Sequence, residues 1–186
     1  QRMGRKFPNT FSCPHENTAM HMAAGYAMVT GRGQAVMVHV DAGTANAVMG
    51  THNMRRGRTP VVLIAGKAPF TVRGELKGSR DNYVHFIQEP FDQASLVRPY
   101  CKWLWTLPSG VVTKEALRRA HSVANSDPKG PVYLMVARET LAETWDQAAV
   151  RSFPEERYGP VAAGAADSSV IAALAERLLG ARHPIL

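Results

Sequence analysis

Cysteine is scarce. Only Cys13 and Cys101 occur in 186 residues, and no C-x-x-C pair is among them. That argues against a disulfide framework or a thiolate zinc site and fits a reducing, cytoplasmic setting. Long apolar runs are missing as well. The best candidate, Pro60-Val61-Val62-Leu63-Ile64-Ala65-Gly66, has the length of a buried strand, whereas a membrane helix needs roughly 20 residues. No signal-peptide core, internal repeat or low-complexity tract is present, and Gly 15 and Pro 12 are close to average usage. What remains is 45% apolar and 20% charged, the balance of a globular domain with room for a fragment of a second. Lys and Arg total 22 against 15 acids, a formal charge of +7. Such a charge allows a nucleic acid or an anionic ligand and decides between neither.

Periodicity places the elements. From His15 to Thr30 the pattern is helical, with Ala19, Met22, Ala23, Tyr26 and Ala27 on one face and Gly31 as its stop. Gln34–Val40 is a Val-rich run of the kind found in a buried strand. Gly43–Met54 reads as a helix of small residues, and Pro60–Ala65 as the next buried strand. Strand, helix and strand at these spacings predict a βαβ unit and a parallel sheet. The polar stretch Lys67–Val84 is long for a loop within a domain, and loops of that length are usually functional. Tyr100–Trp105 is a further candidate strand. Ser109–Asn125 is an amphipathic helix with Val112, Ala116, Leu117 and Ala120 inward. Gly130-Pro131 opens a strand over Val132–Val136. Thr140–Gly164 has the composition of a linker, Ser168–Leu179 is helical, and Pro184-Ile185-Leu186 reads as a strand beginning. With Gln1 at one end and that strand at the other, the chain reads as cut at both ends.

Three segments invite a chemical reading. Glu16 stands at the start of the first helix, where a carboxylate complements the helix dipole at under about 1 kcal/mol. Alternatively, the Ala, Met and Gly turns that follow could hold it in a dry crevice, where desolvation would raise its pKa and let it share a proton with a ligand nitrogen. Spacing alone favours the first account. His15 and His21 are six residues apart, so they cannot reach one metal as the i, i+4 pair of a zincin does. His39, His52, His85, His121 and His183 show no ligand spacing either, so no metal site is expected. Asp41-Ala42-Gly43-Thr44-Ala45-Asn46 joins a strand to a helix, but is neither G-x-x-x-x-G-K-[ST] nor G-x-G-x-x-G. A phosphate cradle is therefore not supported, and the plain reading is a tight turn capped by Thr44 or Asp41. Arg55, Arg56 and Arg58 read as cations at a helix C-terminus, not as a nucleic-acid patch, since no aromatic residues are interleaved.

Taken together, the motifs resemble the pyrimidine-binding domain of thiamine-diphosphate enzymes of the acetolactate synthase and pyruvate oxidase type. His15-Glu16-Asn17, Ala23-Ala24-Gly25-Tyr26-Ala27 and Thr30-Gly31 resemble the family's first-helix signature. Gly43 with Asn46-Ala47, then Pro60 and Gly66, resemble its glycine loop, helix and following strand. Phe86-Ile87-Gln88-Glu89 resembles the FQE segment, Arg98-Pro99 with Lys102 the P-[IV]-T-K segment, and Gly130-Pro131-Val132 the opening of the last strand. The resemblance implies an α/β fold, a mainly parallel sheet flanked by helices. It also implies a carboxyl role for Glu16, which would hydrogen-bond N1′ of the aminopyrimidine and favour the 4′-imino form that removes the C2 proton. Asp41, Ala42 and Gly43 would lie over the pyrimidine with Asn46 beside them, and Ile87 and Gln88 would line the substrate channel.

The departures narrow the reading. The family's Gly-Pro-Gly loop is Asp41-Ala42-Gly43 here, Ile87 replaces a Phe, and Met28 stands where Arg is usual. This resembles a divergent acetolactate synthase-like member acting on a 2-oxo acid or related small-molecule carbonyl substrate by C–C cleavage or formation. The implied organisation is a pyrimidine-binding domain over 1–139 without its first strand and helix, a linker over 140–166, and the start of a central domain over 167–186. The G-D-G…N motif that holds the diphosphate through Mg²⁺ is absent. The resemblance therefore implies completion by a diphosphate-binding domain of another subunit, a homodimer or homotetramer packed through Ala19, Ala23, Ala27, Ala45, Ala47 and Gly50, and no activity for this stretch alone. Whether FAD is bound stays open. The alternatives are a free-standing subunit of a split 2-oxo acid decarboxylase, a non-catalytic module that has lost its cofactor, and, resting only on +7, a nucleic-acid binder. A membrane partner is not expected.

Overall fold

A computed structural model describes residues 8–80 and 90–185 of the chain. Four strands form one parallel sheet in the order β1-β2-β4-β3. They are β1 (Gln34–Val38), β2 (Val61–Lys67), β3 (Leu104–Leu107) and β4 (Val132–Ala137). Helices α1 (Glu16–Thr30) and α2 (Ala42–Arg56) cover one face, and α3 (Thr113–Asn125) covers the other. Two more helices follow β4, the short α4 (Arg138–Ala142) and α5 (Ser168–Gly180). The expected mainly parallel α/β architecture is present. The register runs Gln34 to Val61 between β1 and β2, Val62 to Val132 between β2 and β4, and Leu104 to Tyr133 between β3 and β4.

Alternation along the strands builds two cores, because successive side chains point to opposite faces. Toward α1 and α2 lie Val36, Val38, Val61, Leu63, Ala65, Tyr133 and Met135, packed on Met20, Ala23, Ala24, Ala47 and Met54. Toward α3 lie Val132 and Leu134, with Val62, Ile64, Trp103 and Trp105 against Ala120 and Ala124. Within α1 the buried set is Met20, Ala23, Ala24 and Ala27, while Met22 and Tyr26 are half exposed. The inward stripe is thus rotated from the one predicted: Met20 is buried opposite Gly50 of α2 together with the alanines, and Met22 and Tyr26 turn outward. Similarly, α3 buries Ala116, Ala120 and Ala124, and Leu117 faces out. The strand at Gln34–Val38 is not buried on both sides as expected. Val36 and Val38 are covered, but Met37 is 78% exposed on the uncovered face. The third strand begins at Leu104, later than the sequence suggested, and Trp103 contributes a carbonyl to Tyr133 N–H at 2.9 Å.

Small residues set the distance between α1 and α2. A Cβ built on Gly50 would stand 2.5 Å from Met20 Cβ and 3.0 Å from Asn17 Oδ1, so only glycine lets the helices approach this far. Ala23, Ala27, Ala47 and Gly50 are buried within the chain, whereas Ala19 is half-buried and Ala45 exposed. Gly31 closes α1 in the left-handed conformation, φ 71, and donates its N–H to Ala27. Lys102 closes the far end of α3. Its Nζ donates to the carbonyls of Val123 and Ser126 at 2.5 and 2.6 Å, satisfying groups that a helix C-terminus leaves orphaned. No residue of α5 is buried. Among the described residues no helix is long and apolar enough to cross a membrane.

Candidate functional site

The site is built where the N-termini of α1 and α2 meet beside the C-terminal end of β1. His15 caps α1 by accepting the Asn17 N–H on Nδ1 at 3.1 Å, which leaves Glu16 as the first helical residue. Asn46, the fifth residue of α2, donates its side-chain amide to Glu16 Oε2 at 3.0 Å. Gly43 lies next to both. A Cβ there would sit 3.5 Å from Glu16 Oε1 and 3.2 Å from Val38 Cβ. The structure thus brings Glu16, Gly43 and Asn46 together and places Asp41 and Ala42 in the adjoining turn. Ile87 and Gln88 lie outside the described residues.

The electrostatics of Glu16 run opposite to the upward shift that a dry crevice, the alternative account, would give. Its own backbone N–H and the Asn46 amide hold the carboxyl below the usual 4.5, outweighing a smaller desolvation effect, with His15 adding slightly. The residue is only partly covered in this chain, so hydrogen bonds to the charged form win over burial. Glu16 is ionised here and poised as an acceptor.

Behind this crevice lies a polar network that periodicity gave no sign of. Gln93 opens a short 3-10 helix (Gln93–Leu96) and is 5% exposed. Its Oε1 accepts the Asp41 N–H at 3.1 Å, and its Nε2 donates to Gly66 O at 2.9 Å and Tyr133 Oη at 2.8 Å. Thr44 Oγ1 shares a 2.7 Å hydrogen bond with Tyr133 Oη and lies 3.3 Å from Gln93 Nε2. Thr44 therefore points into the core instead of capping α2, and Asp41 occupies the N-cap position without a side-chain capping bond. Both capping roles considered from sequence are corrected. Asp41 also has φ 53 and ψ −93, a conformation that L residues rarely adopt and that typically costs on the order of 1–3 kcal/mol.

The loop after β2 is tied down by Glu139, another residue missed in the sequence. Glu139 is 4% exposed. Its Oε1 accepts from Phe70 N–H at 3.0 Å, Thr71 N–H at 2.9 Å and Thr71 Oγ1 at 2.6 Å. Oε2 is buried without a partner. Burial pushes this carboxyl's pKa up, but the Thr71 hydroxyl and the N–H groups of Glu139, Thr71 and Phe70 together bring it below the usual range. Burial also raises the Cys101 thiol to about 12, which makes it unreactive at neutral pH. Among the described residues no three His, Cys, Asp or Glu side chains gather as metal ligands.

A family model described as "Thiamine pyrophosphate enzyme, N-terminal TPP binding domain" matches residues 3–96, which is half of the chain. The chain belongs to this family. Among curated relatives, this thiamine pyrophosphate enzyme domain is similar to a benzoylformate decarboxylase of Pseudomonas aeruginosa, 28% identical over 92% of the chain and 30% of that protein. It is also similar to an acetolactate synthase large subunit of Haemophilus influenzae, 28% identical over 92% of the chain and 28% of that protein. Among solved structures it superposes on a protein of Mycobacterium smegmatis assigned as a thiamin diphosphate-dependent enzyme. The TM-score is 0.65 at 29% identity, covering 92% of this chain and 30% of that one. The thiamine pyrophosphate enzyme domain described here thus spans about a third or less of the length of these relatives.

Proposed function

We propose that the chain is the pyrimidine-binding part of an acetolactate synthase-like thiamine-diphosphate enzyme acting on a 2-oxo acid or related carbonyl compound. The observation that carries this reading is the pairing of Glu16 with Asn46 beside a glycine, at the end of a parallel strand where α/β folds bind ligands. The residues fit the cofactor's aminopyrimidine. Gly43 has no side chain to crowd the carboxyl, and Asn46 occupies Oε2, so that Oε1 faces the space a Cβ would fill. When bound, thiamine diphosphate supplies a nucleophilic carbon and an electron sink for C–C chemistry next to a carbonyl.

The chain's own groups do the following. Glu16 presents an acceptor at the N-terminus of α1 and binds a protonated ring nitrogen there. Covering the crevice with a second domain removes water from the carboxyl and raises its proton affinity toward that of the ring, so that one proton is shared between the two. Asn46 fixes the carboxyl's orientation. Asp41, Ala42 and Gly43 wall the ring, and Ile87 and Gln88 belong to the substrate channel in this reading. Mg²⁺ and the diphosphate would be held by a domain of another subunit in a homodimer or homotetramer, and the location is cytoplasmic. This stretch alone is inactive.

The experiment is a calorimetric titration of the full-length protein with thiamine diphosphate and Mg²⁺, set beside Gly43→Ala. Binding is expected in the parent. The added methyl, tight against Val38 and next to Glu16 Oε1, should weaken it by about tenfold or more. A parent that binds no thiamine diphosphate contradicts the proposal.

A further inference from the structure

We propose that Gln93 is the positioning residue of this site, its buried amide holding the Asp41–Gly43 loop in a strained shape set before any ligand arrives. The starting point is Asp41, which with Arg58 is one of two non-glycine residues at positive φ among the described residues. Backbone outliers of this kind persist where surrounding structure over-determines them, and they gather at functional sites. Asp41 cannot hold itself, because its carboxylate makes no capping bond to α2. Its backbone is held from both sides instead. The carbonyl accepts the Ala45 N–H at 2.9 Å, and the N–H donates to Gln93 Oε1 at 3.1 Å.

The amide that receives this N–H can point only one way. With Nε2 facing the carbonyl of Gly66 and the hydroxyls of Tyr133 and Thr44, the oxygen must face Asp41. A flipped amide would set its NH₂ against the Asp41 N–H and its oxygen against the Gly66 carbonyl. Gln93 is itself fixed by the cap of its 3-10 helix. Asp92 Oδ1 accepts the Ala94 N–H at 3.1 Å, and Arg98 holds the other carboxylate oxygen at 3.0 Å. The carbonyl of Gly66 near the end of β2 and the hydroxyl of Tyr133 from β4 thus reach through Gln93 to the loop beside Glu16, which converts the rigidity of the sheet into the shape of the ligand wall. The positioning claim needs only this geometry. Its consequence for cofactor affinity rests on the pyrimidine-binding reading.

A merely structural Gln93 would stabilise the core regardless of what stands at position 41. A positioning Gln93 is needed because position 41 is not glycine. The test is a double-mutant cycle of Gln93→Ala and Asp41→Gly in the full-length protein without cofactor, read as the urea unfolding equilibrium. Hydrogen exchange of the Asp41 amide is followed in parallel. The effect of Asp41→Gly on the unfolded chain cancels in the cycle. Loss of Gln93 should cost about tenfold less in the unfolding equilibrium when position 41 is glycine. In the parent background, Gln93→Ala should speed exchange at the Asp41 amide while α2 beyond Ala45 stays protected. If Gln93→Ala alone does not fold, the double variant should. Effects that combine within about twofold of additivity overturn the proposal. So does an unchanged Asp41 amide, or a double variant that fails to fold like the single one. Thiamine diphosphate takes no part, so a protein that never binds it would refute the functional reading and leave this cycle to be judged separately.

Discussion

Gly50→Ala is the sharpest test of how the fold places Glu16. The new methyl carbon would begin 2.5 Å from Met20 Cβ, whereas carbon pairs rest at roughly 3.5–4.0 Å. Helices α1 and α2 must then part by about 1 Å or force Met20 off its rotamer, and overpacking of this kind costs about 1–3 kcal/mol. Replacing a helical glycine also returns up to about 1 kcal/mol of propensity, so a matched control is required. Gly25, within α1, provides it, because nothing lies within 4 Å of the Cβ it would gain. The difference between the two alanine variants isolates the overpacking cost. At about 2–4 °C per kcal/mol for a domain of this size, Gly25→Ala should melt roughly 2–12 °C above Gly50→Ala. The site should respond in step. Asn17 neighbours both Gly50 and Glu16, so separating the helices lengthens the 3.0 Å hydrogen bond between Asn46 and Glu16. Differential scanning calorimetry reads the melting gap. If Gly50→Ala melts at or above Gly25→Ala, the close α1–α2 contact is not what positions Glu16.

Glu139 sets an acid limit on stability. Its carboxyl lies below the ordinary 4.5, so its contribution is fully present above that pH and fades as pH falls through the folded-state value. Glu139→Gln should cost about 1–3 kcal/mol at neutral pH, where it leaves a buried polar group unpaired, and should flatten the loss of stability on acidification seen in urea titrations of the parent. Lys102→Met should also cost about 1–3 kcal/mol by stripping the donor from the carbonyls of Val123 and Ser126, with hydrogen exchange loosening first in the last turn of α3. Equal stability of that variant and the parent would make the cap irrelevant.

The parts of this fold that were legible in sequence are the local ones. Valine-rich runs, the glycine stop at Gly31 and strand–helix–strand spacing predict parallel strands close to those observed. The family motifs place Glu16, Gly43 and Asn46 in one site, and the structure brings those three together. Three other features depend on neighbours distant in sequence. Met20 is inside and Met22 outside because α2 presents Gly50 at that level, which α1 cannot signal. Thr44, Gln93 and Tyr133 come from three separate segments, and no periodicity joins a polar trio. Glu139 follows a strand by two residues and reads as an ordinary surface acid until Thr71 folds onto it. Asp41 shows the opposite case. As a departure from glycine it was visible in sequence, but its strained φ and the amide that compensates it were not.

The central claim is that Glu16 shares a proton with the cofactor's aminopyrimidine. Exchange of the C2 proton of bound thiamine diphosphate for deuterium, in the full-length protein and in Glu16→Gln, measures this without knowledge of the substrate. The variant keeps the shape of the side chain and its contact with Asn46 but loses the group that can hold the proton. Exchange should slow by about 10²-fold or more, as is typical when an acid–base partner is lost, while cofactor affinity falls much less. Equal exchange rates in parent and Glu16→Gln would make Glu16 an ordinary carboxylate at a helix end and contradict the account.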